Sequence, residues 1–209
     1  MNREERRDHI VDCAKRLFVE KGFHHTTVSD VIEEARIARS TFYAHFTSKV
    51  DIFRILVDRY AVIMHQAILG INLSQARREA PLTVQIRDMT DRLVTAIEQN
   101  RDLTLLLITA PLGQDDDFDK SVLDLFTQVL NAIRIQLDDG IAGGTIRPLS
   151  PRIVSYVIMG SIKEILLQWL SYGEIEDLRA ALDDIIAFIL LGIATRDQSP
   201  SNSQSAKIG

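Results

Sequence analysis

Three observations predict an all-α protein. Apolar residues recur three and four positions apart through most of the 209 residues, the spacing of a helix with a buried face. Helix-opening residues (Thr27, Ser48, Pro81, Pro151) and helix-closing glycines (Gly22, Gly140, Gly173) fall between those runs. No stretch alternates convincingly with the period of a strand, and no internal repeat is visible. The predicted organisation is a head over 1–47, a larger helical body over 48–195, and a tail over 196–209 whose Ser, Asn and Gln content suits disorder.

The first helix is predicted over 3–20, with Ile10, Ala14, Leu17 and Phe18 as its apolar stripe and Gly22 as a left-handed cap. A second starts at Thr27, which makes a capping-box-like pair with Asp30, and carries Val28, Val31, Ile32 and Ala35 at helical spacing. Arg36, Ile37 and Ala38 form a turn, with Ile37 as a buried plug. The third helix is predicted over 39–46. Phe42 and Phe46, four apart, anchor one side and leave Arg39, Ser40, Thr41, Tyr43 and His45 for the other faces. Thr47 or Ser48 caps a fourth helix over 49–69. A polar stretch at 72–80 precedes a fifth over 81–100, with Pro81 in the favoured first turn. A short sixth helix over 102–110 stops at Pro111, and Gln114 to Asp117 reads as a solvated acidic loop. The seventh is predicted over 118–139, closed by Gly140, followed by a tight connector at 143–148. The eighth spans 151–172, ended by Gly173, and the ninth 176–195.

Hydrophobic residues make up 46% and charged residues 25%, enough to build a real core. The net charge of −5 argues against a uniformly basic nucleic-acid binder, but its distribution is uneven. From Ala35 to Val50 there is no acidic side chain, while Arg36, Arg39, His45 and Lys49 are present. A local cationic patch on an acidic protein suffices for phosphate contacts. Cys13 is the only cysteine, which excludes an intrachain disulfide and suits a reducing, cytoplasmic compartment. It lies on an apolar helix face and reads as a core thiol. The charged N-terminus has no apolar run behind it, and the longest fully apolar run, 185–194, is too short to span a bilayer. The expectation is a chain with no membrane partner.

The last two helices are apolar on nearly every face, and such a helix must be covered on both sides. A second copy of the same helix pair supplies that cover in a two-fold, four-helix interface. Ile158, Ile162, Ile165, Trp169, Ile185, Phe188, Ile189 and Gly192 are the interface candidates. Gly160 and Gly192 allow close backbone approach.

The head has the layout of a helix-turn-helix that reads a DNA groove. Arg39 is the leading base contact, since Arg to guanine is the commonest direct readout, and Phe42 and Phe46 are core anchors. Thr26-Thr27-Val28, then Ser40-Thr41-Phe42-Tyr43-Ala44-His45-Phe46 and Ser48-Lys49, resemble the DNA-binding domain of TetR-family transcriptional regulators. The motif covers about residues 10 to 56. The connector Gly144-Thr145-Ile146-Arg147-Pro148 and the two apolar terminal helices resemble the AcrR-like branch. The resemblance implies a homodimeric repressor that leaves a palindromic double-stranded operator when a small hydrophobic effector enters the body. It assigns Thr27, Tyr43, His45 and Lys49 to phosphates and Arg39, Ser40 and Thr41 to bases. Three departures mark this chain: Arg36 stands where the family often has Gly, Ala38 where it often has a Ser cap, and Ser40 where it often has Gly. Arg36 and Ser40 add donors to the reading face.

An effector site is expected among the fourth to eighth helices, with His65, Met89, Arg92, Phe126, Tyr156, Met159 and Trp169 as candidate liners. No cofactor and no metal site are expected; His24-His25 reads as a surface loop. The usual nucleophile, metalloprotease, P-loop and dinucleotide fingerprints are missing, which argues against an enzyme. The competing reading is a helical adaptor that binds proteins alone.

Overall fold

Asn2 caps the first helix. Its carboxamide accepts from the Glu5 amide at 2.9 Å, and the Glu5 carboxylate accepts from the Asn2 amide at 2.8 Å. The reciprocal pair satisfies donors that a first turn leaves open. The structure, a computed structural model, describes residues 2–69 and 82–194. The predicted polar stretch at 72–80, the Pro81 helix start, Thr195 and the 196–209 tail lie outside the described residues.

The head consists of α1 (Arg3–Lys21), α2 (Val28–Glu34) and α3 (Arg39–Tyr43), and α4 (Lys49–Ile68) leads out of it. The body adds α5 (Leu82–Gln99), α6 (Arg101–Ile108), α7 (Asp116–Ala142), α8 (Pro151–Leu167) with a π-helical turn over Gln168–Tyr172, and α9 (Leu178–Ile193). The predicted class holds. Among the described residues, extended pairing is limited to one isolated bridge, Ile146 to Ala194. Arg147 tightens it, donating from its amide to the Ile193 carbonyl and from Nε to the Gly192 carbonyl, both at 2.9 Å.

Four details differ from the sequence reading. Gly22 takes a positive φ of 82° but a ψ of 151°, outside the left-handed helical well. The third helix ends at Tyr43, although Ala44 and Phe46 still donate to the Ser40 and Phe42 carbonyls at 3.1 and 3.0 Å. The acidic run is the start of α7, not a loop before it. Asp115 accepts from the Phe118 amide at 2.8 Å as N-cap, and Asp116 and Asp117 sit in the first turn, where the helix dipole favours carboxylates. Gly140 does not close α7; it is buried inside a helix that continues to Ala142.

One apolar core crosses from head to body. Phe18 and Phe23 of the head, Phe53 of α4 and Phe118 of α7 are all buried. The Phe118 ring stacks on Phe23 and on Phe53, each at 4.5 Å between centroids. A second cluster at the far end of α4 and α7 joins Ile68, Leu93, Ile133, Leu137 and Ile146. The stretch Pro151–Tyr172 is long and apolar enough to cross a membrane by length and composition, at a mean hydropathy of 1.4. Here it packs on α6, α7 and α9.

Phe118→Ala is expected to lower global stability by about 3–5 kcal/mol, the usual cost of emptying a phenyl site in a core. Urea unfolding of the purified chain checks this, and a loss below about 1 kcal/mol contradicts the packing.

Candidate nucleic-acid interface and interior cavity

The reading head is organised around α2 and its flanking turns. Thr27 caps α2, and its hydroxyl and amide both donate to the Asp30 carboxylate at 2.7 Å. Those bonds, with Lys21 at 3.2 Å, hold the Asp30 carboxyl down at about 2. The Thr27 donors expected to meet a phosphate are engaged here by an intramolecular anion.

Lys49 is engaged in the same way. Its ammonium donates to the carbonyls of Phe23, His24 and Thr26 at 2.8, 3.2 and 2.8 Å and lies 4.5 Å from the Phe23 ring centre. Burial pulls its pKa below the ordinary lysine value. An ammonium has three donors, and three backbone carbonyls accept them here. The residue ties the start of α4 to the α1–α2 loop. Buried Thr26 adds to the knot, donating to the Leu17 and Gly22 carbonyls at 3.2 and 2.8 Å.

The rest of the expected face is open. Arg36, Arg39, Ser40 and Tyr43 are exposed, with Thr41 and His45 half-buried beside them. Arg39 leans over the Tyr43 ring at 5.6 Å, the two being one helical turn apart. Neither Arg36 nor Arg39 enters an ion pair among the described residues. Arg36 adopts φ 51°, the only positive value on a non-glycine residue among those described. That conformation costs an L residue roughly 1–2 kcal/mol, and it explains why a glycine suits this turn. Ala38 leaves α3 without a side-chain cap, as expected. Phe42 and Phe46 are buried anchors, whereas Ile37 is half-buried and no full plug. Cys13 is a core thiol that burial pushes up in pKa.

The body holds a cavity of about 180 Å³ between α4, α5, α6, α7, α8 and α9. Its lining is almost wholly aliphatic. Met89, Phe126 and Met159 line it as expected. Four other candidates do not. His65 and Tyr156 are exposed, Arg92 turns to the Ala67 carbonyl at 3.4 Å, and Trp169 lies under the Arg101 guanidinium at 4.4 Å. The polar groups on the lining are few. Tyr60 and Thr104 share a 2.7 Å hydrogen bond, Lys163 sits 5.3 Å from the Phe126 ring centre, and Gln136 projects from α7. Sequence gave no sign of Gln136 or of the Phe118 stack; each looks like an ordinary position on an amphipathic helix.

Most of the expected interface residues turn inward. Ile158, Ile162 and Ile189 line the cavity, and Ile165, Trp169 and Ile185 pack on the main core. Phe188 and Gly192 do face out. So do Ile153, Val157 and Leu191, the last 82% exposed. A Cβ built on Gly160 or Gly192 meets nothing within 4 Å.

Residues 10–56 match the family model described as bacterial regulatory proteins, tetR family. The fatty acid metabolism regulator protein of Bacillus subtilis is 22% identical over 88% of this chain and 93% of its own length. The fold is that of a TetR-family regulator from Syntrophomonas wolfei (TM-score 0.75, 21% identity, 90% of this chain and 94% of that one). It is also that of FadR from Bacillus subtilis, solved with stearoyl-CoA (TM-score 0.70, 20% identity, 88% and 98%).

Arg39→Ala is expected to cost about 1–3 kcal/mol against the cognate DNA site and to relax specificity there, measured by fluorescence anisotropy. Lys49→Met is expected to lower the melting temperature and leave the salt slope of binding unchanged. A Lys49 variant of native stability with a reduced salt slope would restore the phosphate role.

Proposed function

We propose that this chain is a DNA-binding transcriptional regulator of the TetR family, a homodimeric repressor released from a palindromic operator by a molecule with a long aliphatic chain; the match of residues 10–56 and the fold support the reading. Bases are read by Arg39, Ser40 and Thr41, with Arg36 beside them, while Tyr43 and His45 clasp phosphates. The observation that carries the reading is the pairing of an exposed cationic face with an aliphatic cavity in one continuous core.

The dimer forms through the outward face of α8 and α9, where Val157, Phe188 and Leu191 leave apolar surface open and Gly160 and Gly192 permit close approach. Two heads joined by a two-fold axis meet successive major grooves roughly 34–36 Å apart, or further apart on bent DNA. In solution the chain has twice its monomer mass, and Leu191→Asp reduces it to one. Light scattering at micromolar concentration checks both, and a monomeric wild type rejects the dimer.

The effector class follows from the lining and from two relatives, one named for fatty acid metabolism and one solved with stearoyl-CoA. The aliphatic walls take the chain, and Lys163, the one charged residue on the lining, takes an anionic head. Two helices connect cavity and head. α4 brings Tyr60, Met64 and Ile68 to the cavity and Lys49 to the head loop. α7 brings Phe126 to the cavity and Phe118 to the aromatic stack. Full reversal of a 1:99 population requires the effector to prefer the released shape by roughly 5.5 kcal/mol.

Selection from random DNA is expected to return a palindromic motif, and titration of that complex with stearoyl-CoA to release it. Recovery of no motif rejects the reading head. Binding of stearoyl-CoA without release rejects the coupling.

A further inference from the structure

We infer that Gln136 selects effectors whose long chain carries a hydroxyl toward its far end, an inference that rests on the cavity being the effector site. Oε1 of Gln136 is shielded from solvent and has no hydrogen-bond partner. The side chain lies on the cavity lining beside Ile133, Leu137 and Ile146, none of which offers a polar side chain. A shielded amide oxygen without a partner costs free energy that an aliphatic residue in its place does not. A plain hydrocarbon filling the cavity leaves that cost in place. A ligand with a polar atom at this point removes it.

A hydroxyl fits best, because it both donates and accepts and therefore pairs with either end of the carboxamide. Its place on the ligand follows from the helix. Lys163 stands over Phe126 of α7, and Gln136 lies ten residues further along the same helix, about 15 Å at helical rise. An anionic head held at Lys163 therefore puts the far part of a long chain beside Gln136. Discrimination by a site that hydrogen-bonds a ligand hydroxyl is stronger than discrimination by apolar fit, since the analogue without the hydroxyl leaves the amide unpaired.

The test is calorimetric titration of the full chain with palmitate, ω-hydroxypalmitate and 2-hydroxypalmitate. Wild type is expected to bind ω-hydroxypalmitate about tenfold more tightly than palmitate, as one added hydrogen bond allows, and to gain nothing from the 2-hydroxyl. Gln136→Leu is expected to lose the preference while binding palmitate at least as well as wild type. Gln136→Met serves as a second unbranched replacement, and thermal melts confirm that both variants fold. Equal binding of palmitate and ω-hydroxypalmitate by wild type overturns the inference, as does a preference that survives in both variants. Palmitate that releases DNA with no such preference overturns this inference alone. Failure of all three acids to bind overturns the cavity reading with it.

Discussion

The cluster in which the Phe118 ring meets both Phe23 and Phe53, themselves 4.9 Å apart between centroids, is the contact on which the rest of the molecule depends. Offset aromatic pairs at this separation add about 0.5–1.5 kcal/mol each beyond the area they bury. More important is what they join. Phe23 belongs to the loop that positions α2, Phe53 to the helix leaving the head, and Phe118 to the helix that walls the cavity. Because a packed core resists continuous deformation, a displacement at either end of α7 is felt at the other. The head and the body are therefore not independent lobes, although their sequence signatures are separate.

Lys49 gives that joint its sign. A cation shared among three carbonyls of the α1–α2 loop holds α4 to the loop by strong charge-assisted bonds. A lysine just after the third helix suggests a DNA contact, and its three carbonyl partners add a structural tie that the sequence does not show. The same logic applies to Thr27, whose donors go to Asp30. The open cationic face comprises Arg36, Arg39, Ser40 and Tyr43, with Thr41 and His45 at its edge. Arg36 gains a charge at the reading turn and accepts a left-handed backbone to do so.

How much the sequence revealed depended on whether a signal was local. The capping pair at Thr27 and Asp30, the anchors Phe42 and Phe46, and the order of the helices are set by neighbours in the chain and were legible. The acidic run at 115–117 was not, because carboxylates suit a solvated loop and a helix N-terminus equally. Gly140 misled because glycine near a predicted end usually stops a helix, whereas here the helix runs on past it to Ala142. Which side of α8 and α9 turns outward was not legible for a sharper reason. A helix that is apolar all round has no periodicity to say which side turns in, so Ile158, Ile162 and Ile189 were indistinguishable from Val157, Phe188 and Leu191. Only the packing separates cavity from surface.

The central claim is that filling the cavity reorients the two heads through the shared core. It is tested most directly by spin labels at exposed Ser29, introduced as Ser29→Cys on each protomer; buried Cys13 is out of the label's reach. The distance distribution between labels is measured by double electron–electron resonance with and without stearoyl-CoA. The account predicts a shifted distribution on binding, reduced when Phe118 is replaced by Leu. An unchanged distribution in a dimer shown by calorimetry to be saturated with stearoyl-CoA contradicts it.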